Sequence, residues 1–221
     1  MNKIGFLHTS PVHIETFDRL FSDSQDSYEL VHLVDEPLLA KAMEVGITAD
    51  IETQVQAHIE QLASAGCDQV VCSCSTIGNV AESVMLENVP VLRIDRPMAA
   101  AAIKGSQIVL IVAAIQSTLA PTRELLLDES KKQSRPIQIQ ELVLADSWAE
   151  FLSGNLEDYY QAIAVGVTDY LASSERDNTQ LQPEVIVIAQ ASMAPAINLL
   201  QDITIPILAS PEICVQYILS Q

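Results

Sequence analysis

The two halves of this chain carry the same succession of strand and helix signals, about 115 residues apart in the sequence. Cys74-Ser75 aligns with Ala191-Ser192, and Pro90-Val91-Leu92 aligns with Pro206-Ile207-Leu208. A period of this length indicates a duplicated domain rather than a solenoid of short repeats. We therefore expect two similar lobes, related by a pseudo-twofold axis, with a ligand cleft between them.

Within each half, short apolar runs alternate with segments of helical periodicity, which predicts parallel sheets flanked by helices. We expect an α/β fold in which each lobe holds a parallel sheet of about four strands. The first lobe is predicted to span residues 1–98 together with a C-terminal helix in 207–221, and the second lobe residues 99–206. The predicted strands are 3–8, 28–34, 69–74, 89–94, 107–113, 137–143, 184–191 and 205–208. The polar stretch 174–183 predicts a loop.

Composition excludes several classes of partner. Hydrophobic residues make up 49% of the 221 residues, which is enough for a packed core, and the net charge is −18. Such an acidic surface disfavours nucleic acid and an anionic membrane surface as partners. It is compatible with a small carboxylate, because a helix N-terminus can hold an anion locally.

The sequence also bears on the compartment. The apolar run after Met1 is too short for a signal peptide, and no run approaches the ~20 residues that a membrane-spanning helix needs. Three of the four cysteines lie between Cys67 and Cys74, which suits a reduced cytoplasm better than a disulfide framework. No second Cys or His pair stands near Cys72 and Cys74, so a metal site is not expected there.

The stretch from Cys67 to Asn79, CDQVVCSCSTIGN, is the strongest candidate for a functional site. It predicts a buried strand that ends at the thiol of Cys74 and passes at once into a helix, with Ser75 as the helix cap. A helix N-terminus can lower a thiol pKa toward neutrality, which makes Cys74 a candidate base or nucleophile. The alternative is a buried cysteine acting as a small hydrophobe. Cys72 lies deeper on the same strand face and should be shielded.

Other polar residues are predicted at strand ends and helix starts. Hydroxyl and N–H groups at such positions can bind a carboxylate, although simple helix capping explains them equally well. His8 can pair with the Cys74 thiol or donate a proton, with His13 as a weaker candidate, and the alternative is a structural histidine. Arg93 and Arg96 can balance a carboxylate, but Asp95 between them offers an ordinary surface pairing. The candidate binding residues are Thr9, Ser75, Thr76, Ser117, Thr118, Gln190, Ala191 and Ser192.

These motifs resemble those of the aspartate/glutamate racemase superfamily over nearly the whole chain. Cys74-Ser75-Thr76 is similar to the first-lobe signature Cys-Asn-Thr, and Gln190-Ala191-Ser192 stands where the second-lobe signature is Gly-Cys-Thr. The segment 113–117 stands where the family has Ala-Thr-x-x-Thr, which helps to hold the substrate carboxylate. His8-Thr9 stands where the first strand of the family ends in a polar pair that supports the first cysteine.

The resemblance implies a cofactor-independent isomerase or racemase that acts on a small amino acid or carboxylic acid, with Cys74 and His8 as catalytic residues. It implies no cofactor and no metal, and a homodimer is compatible with it. Alanine at position 191 cannot move a proton, which puts racemisation by two thiols in doubt. A single-cysteine lyase or decarboxylase, or a non-catalytic carboxylate-binding protein of the same fold, remains open.

Overall fold

The computed structural model describes residues 2–22, 24, 27–176 and 181–221. The chain divides into two compact units. The first consists of Met1–Arg96 with Pro211–Gln221, and the second of Pro97–Ser210. None of the helices in the described ranges is long and apolar enough to cross a membrane.

The first unit is a four-stranded parallel sheet with helices on both faces. Its strand order is β2-β1-β3-β4. In chain order its elements are β1 (Asn2–His8), α1 (Val12–Ser22), β2 (Tyr28–Val34), α2 (Glu36–Val45), α3 (Ala49–Ser64), β3 (Gln69–Cys72), α4 (Ser75–Ser83) and β4 (Val91–Arg93).

The second unit repeats this arrangement with the strand order β6-β5-β7-β8, all parallel. Its elements are α5 (Arg96–Gly105), β5 (Ile108–Ala113), α6 (Leu119–Lys132), β6 (Gln138–Val143), α7 (Ser147–Ser153), α8 (Leu156–Arg176), β7 (Val185–Ile188) and β8 (Ile207–Ala209). Helix α9 (Ser210–Leu219) follows and belongs to the first unit from Pro211 onward. The prediction of two parallel four-stranded α/β sheets is confirmed.

The central strands explain why the sheets are parallel and buried on both faces. Strand β1 carries Phe6 and Leu7 on opposite faces, and both side chains are fully buried. Phe6 stacks on Phe17 of α1 with ring centroids 4.5 Å apart. On the other face Leu7 shares a core cluster with Ile51 and Val55 of α3. Because β1 and β3 pair in parallel between these helical layers, their carboxyl ends lie side by side.

Two boundaries near the candidate site differ from the prediction. The sequence predicts a strand through Cys74, whereas β3 ends at Cys72, opposite Arg93 at the end of β4. The sequence also predicts a helix over 77–87, whereas α4 runs from Ser75 to Ser83. The helix stops early because Val84 is extended and the left-handed Asn88, with φ 66°, turns the chain back toward β4.

Three further segments correct the predicted elements. The segment Ala191–Leu199 forms a 3₁₀ helix with Pro195 inside it, because proline lacks the N–H that an α-helix would need there. Residues 207–209 form β8 rather than part of the C-terminal helix, since Ile207 pairs with Ile186. The predicted loop over 174–183 begins later, because α8 continues to Arg176, and residues 177–180 of that prediction lie outside the described residues.

Candidate functional site

Cys74 lies directly before the first residue of α4 and two residues after the carboxyl end of β3. It adopts an extended conformation with φ −104° and ψ 115°, and it is the residue that precedes the first helical turn. Its side chain is 8% exposed, the largest exposure among the four cysteines. Ser75, predicted as the cap, is instead the first residue of the helix. The thiol of Cys74 therefore occupies the position where a capping side chain usually sits.

Three groups of the first unit favour the thiolate form of Cys74. They are the hydroxyl of Thr9 and the backbone N–H groups of Ile77 and Thr76, each of which lowers the pKa of the thiol. Burial acts in the opposite direction and is the larger effect, so the pKa of Cys74 is raised above its usual value. The expectation of a thiol pKa lowered by the helix N-terminus is therefore wrong. Cys74 is a protonated thiol at pH 7.

The other three cysteines are more deeply enclosed. Cys72 is fully buried and directs its thiol at the carbonyl oxygen of Cys74 at 3.6 Å. Cys67 and Cys214 are 3% and 0% exposed, and burial raises the pKa of each of these three thiols. Within the described residues, all four cysteines are free.

We predict that Cys74 reacts first in competitive alkylation, because a reagent reaches it more easily than the other thiols. The reaction should be slow at pH 7 and accelerate about tenfold per pH unit, since only the thiolate reacts and its fraction grows in that proportion below the pKa. Mass spectrometry after iodoacetamide treatment at pH 7, 8 and 9 measures both. Faster labelling of Cys67 or Cys214, or a rate independent of pH, would contradict this.

His8 lies in a hydrogen-bonded chain that leads away from the thiol. Its Nδ1 contacts Ser73 Oγ at 2.8 Å and its Nε2 contacts His32 Nδ1 at 2.8 Å. The Nε2 of His32 in turn contacts Asp18 Oδ1 at 3.2 Å. The group that favours the Cys74 thiolate is thus Thr9, the residue that follows β1, whereas both ring nitrogens of His8 are engaged elsewhere.

The two buried histidines are neutral at pH 7. Burial, with a smaller contribution from the rings of His13 and His32, lowers the pKa of His8 to about 2. Burial alone lowers the pKa of His13 to about 4. A neutral ring that is already hydrogen-bonded at both nitrogens has no proton to spare for a substrate, so this geometry offers no support for His8 as a proton donor.

The arginines at the end of β4 are already engaged. Arg93 donates to both carboxylate oxygens of Asp95, from Nε at 2.7 Å and from an Nη at 2.9 Å. Both side chains are buried, so the pairing is not the surface contact that the sequence predicts. Gly78 of α4 packs against this pair, since a Cβ there would lie 3.2 Å from Arg93 Nε. Arg96 pairs with Glu82.

In the second unit, Gln190 joins the ends of two neighbouring strands. Its side-chain oxygen accepts hydrogen bonds from the backbone N–H groups of Ala114 at 2.7 Å and Ile115 at 3.2 Å. These are amides of the segment that, by resemblance, is expected to hold a carboxylate. Here they are satisfied by Gln190 itself.

Ser192 lies two residues further on and contacts a tyrosine that the sequence gives no reason to single out. The hydroxyl of Tyr159 in α8 lies 3.1 Å from Ser192 Oγ, and the Tyr159 ring is fully buried. Burial raises the pKa of Tyr159, so it remains a phenol. Ala191 between Gln190 and Ser192 is 7% exposed and offers only a methyl group.

Ser117 and Thr118 form a 3₁₀ turn with Gln116 before α6. Thr118 is buried and precedes α6 without a capping hydrogen bond from its side chain. Buried hydroxyls without a partner occur at Ser117, and also at Thr122 one turn later. The sequence left helix capping open as the role of Ser117 and Thr118. Thr118 does not cap α6 with its side chain. Among the residues described, no group of three or more His, Cys, Asp or Glu side chains is arranged to hold a metal ion.

The fold of these two units is the two-lobed α/β fold of the aspartate/glutamate racemases. Matching solved structures include an aspartate racemase from Picrophilus torridus, which is 14% identical with a TM-score of 0.72 over 100% of this chain and 94% of that one. An aspartate racemase homologue from Pyrococcus horikoshii is 17% identical with a TM-score of 0.67, and each chain is covered completely. A glutamate racemase from Bacillus anthracis is 12% identical with a TM-score of 0.67 over 99% and 80% of the two chains.

No family model and no curated protein sequence matches this chain. The structural likeness confirms the resemblance at the level of the fold. What the two units do chemically has to be argued from their own residues.

Proposed function

We propose that this chain is a cofactor-independent, isomerase- or racemase-like enzyme that acts on a small amino acid or carboxylic acid, with Cys74 as the acid/base or nucleophilic group. The observation that supports this is the environment of the Cys74 thiol, which is held by the Thr9 hydroxyl and by two N–H groups of the first turn of α4. All three are donors, and donors stabilise a thiolate. The structural neighbours include racemases of aspartate, glutamate and allantoin, which agrees with a substrate of this size.

The raised pKa of Cys74 defines what the thiol does first. In the free protein it carries its proton, so it can act as a general acid at once and as a base only after that proton leaves. The three donors lower the free energy of forming the thiolate, whereas the exclusion of water around the thiol raises that free energy by a larger amount. Thr76 and Ser75, in the first turn of α4, are the residues whose hydroxyl groups we assign to a substrate carboxylate.

A single-cysteine lyase or decarboxylase is the second candidate, and two observations favour it. Cys74 is protonated, as a group that delivers a proton to a carbanion must be, and Ala191 supplies no second thiol. The same two observations are compatible with a carboxylate-binding protein that has no catalytic activity. Proton exchange and inversion at the α-carbon of the substrate distinguish an active enzyme from a carboxylate-binding protein without catalytic activity.

We predict that the protein exchanges the α-proton of one enantiomer of its substrate with solvent and produces little inversion. A carbanion returned to the same thiol regenerates the starting configuration, because inversion needs a donor on the opposite face. Incubation in deuterium oxide with L- and D-aspartate, L- and D-glutamate and small 2-substituted carboxylic acids, followed by proton NMR and chiral chromatography, measures exchange and inversion separately.

The controls use the cysteines. Cys74→Ser should reduce exchange by at least about 100-fold, whereas Cys67→Ala should leave it unchanged. Ala191→Cys, which restores the cysteine of the second signature, should raise inversion relative to exchange. Rapid racemisation by the unaltered protein would show that another group supplies the second proton. Absence of exchange with every acid, together with no gain from Ala191→Cys, would favour the non-catalytic alternative.

A further inference from the structure

Gln190 has a side-chain amide whose two ends are in different environments. The oxygen accepts from two backbone N–H groups, those of Ala114 and Ile115. Only an oxygen can accept from N–H donors, so these two bonds determine which end of the amide is oxygen and which is nitrogen. The NH₂ group must therefore point away from the loop that follows β5.

Among the residues that the structure describes, the NH₂ group of Gln190 has no partner. None of the described residues accepts a hydrogen bond from its nitrogen, and this nitrogen is not among the fully buried unpartnered polar atoms of the described chain. Gln190 as a whole is 8% exposed. A mostly buried amide thus keeps its donor end in contact with solvent, at the carboxyl end of β7 where parallel sheets bind ligands.

Orienting this donor costs nothing at the moment of binding. The two hydrogen bonds to the oxygen hold the amide plane, so the rotamer entropy of the side chain is lost on folding rather than when a ligand arrives. The hydroxyl of Ser192, two residues later, is held in a similar way by the fully buried Tyr159.

We infer that the NH₂ group of Gln190 is a specificity-determining donor of the second unit, and that it binds a carboxylate oxygen of the ligand. The inference rests on the proposed function, since it assumes that the ligand is a small carboxylate. Because Gln190 already accepts the hydrogen bonds of the Ala114 and Ile115 backbone amides, these amides do not bind the ligand. The side-chain N–H groups of Gln190 bind it instead. The net charge of the chain is −18, so its overall electrostatic field repels a carboxylate. A fixed N–H donor attracts the carboxylate locally.

The test variant, Gln190→Glu, replaces the side-chain amide nitrogen of Gln190 with an oxygen. In Gln190→Glu one carboxylate oxygen still accepts from Ala114 and Ile115, while the other replaces the NH₂ donor with an acceptor that carries negative charge. We expect the variant to fold and its Kd for carboxylates to rise at least about tenfold, because a charge-assisted hydrogen bond is lost and a repulsion is added. Gln161→Glu adds the same charge at an exposed position of α8 and should leave the Kd unchanged.

Titration calorimetry with succinate, L-aspartate, D-aspartate and the neutral diamide of succinate measures these constants. The diamide should be weakened less than succinate by Gln190→Glu, because it is uncharged. A second measurement uses the unaltered protein alone: in protein labelled with ¹⁵N-glutamine, the side-chain NH₂ pair assigned to Gln190 by its NOE contacts to the backbone around Ala114 and Ile115 should shift on addition of succinate. If the variant does not fold, the shift in the unaltered protein decides.

Each outcome is distinguishable. Equal affinities of the unaltered protein and Gln190→Glu, or no NH₂ shift with a bound carboxylate, would overturn the inference and leave the proposed function standing. Weakened binding in Gln190→Glu, together with α-proton exchange that Cys74→Ser does not reduce, would support the inference and overturn the role of Cys74. Failure of the unaltered protein to bind any of the acids would overturn both.

Discussion

Replacing Asp95 by asparagine is expected to lower the free energy of unfolding by about 3–5 kcal/mol, because it leaves the buried Arg93 guanidinium without its counter-charge. The side chains of Arg93 and Asp95 are 2% and 0% exposed, and two hydrogen bonds of 2.7 and 2.9 Å join them. Asparagine keeps the shape and one acceptor, so the loss measures the charge. Gly78 packs directly on the guanidinium and restricts its escape to solvent.

Urea unfolding followed by far-UV circular dichroism measures this effect. Trp148 lies in the second unit and is the single tryptophan of the chain, so its fluorescence reports that unit separately. The matched control is Glu141→Gln, which breaks the partly exposed pair with Arg123 and should cost about 1 kcal/mol or less. Equal losses in the two variants would mean that the Arg93–Asp95 pair is not desolvated in solution.

Stability should also fall steeply below about pH 6, because two buried histidines are neutral in the folded protein. The pKa of His8 is lowered to about 2 and that of His13 to about 4, from an ordinary value of 6.5. The unfolded chain therefore binds protons between pH 6.5 and pH 4 that the folded chain does not. Their contribution to stability is fully present above about pH 6.5 and is lost as the pH falls from there toward the folded values.

Each such proton corresponds to a slope of about 1.4 kcal/mol per pH unit, so the two histidines together give about 2.7 kcal/mol per unit near pH 5. Urea midpoints and m-values at pH 7.5, 6.0, 5.5 and 5.0 measure the slope. His13→Phe keeps a ring in the buried site and removes one of the two protons, so it should reduce the slope by about half. His58→Gln, which removes a partly exposed histidine paired with Asp35, should change the slope less. A slope that His13→Phe does not alter would contradict the assignment.

Local patterns in the sequence determined the architecture of both units. The run at Val185–Ile188 is entirely apolar because β7 is buried on both faces, and β1 and β5 are buried in the same way. Such runs, separated by helices of amphipathic period, allow only parallel sheets with helical layers on either side. Gly154, left-handed at φ 79°, ends α7, and glycine is the residue that most readily takes this conformation after a helix.

The sequence also located the passage from strand to helix near Cys74, since an apolar strand followed at once by a helix start is a local signal, although β3 itself ends at Cys72. It did not determine the chemistry of the thiol. Whether the helix N-terminus or burial dominates the pKa of Cys74 depends on how completely the surrounding residues exclude water, and only the packed structure decides this.

Contacts between residues distant in the sequence account for the rest. Thr9 rather than His8 contacts Cys74, because neighbouring residues of a strand end point to opposite faces and the register of β1 against β3 selects between them. Gln190 meets Ala114, 76 residues away, because β5 and β7 are adjacent in the second sheet. The partner of a polar side chain at a strand end depends on which strand lies next to it, and that neighbour is decided by the tertiary fold rather than by any local pattern.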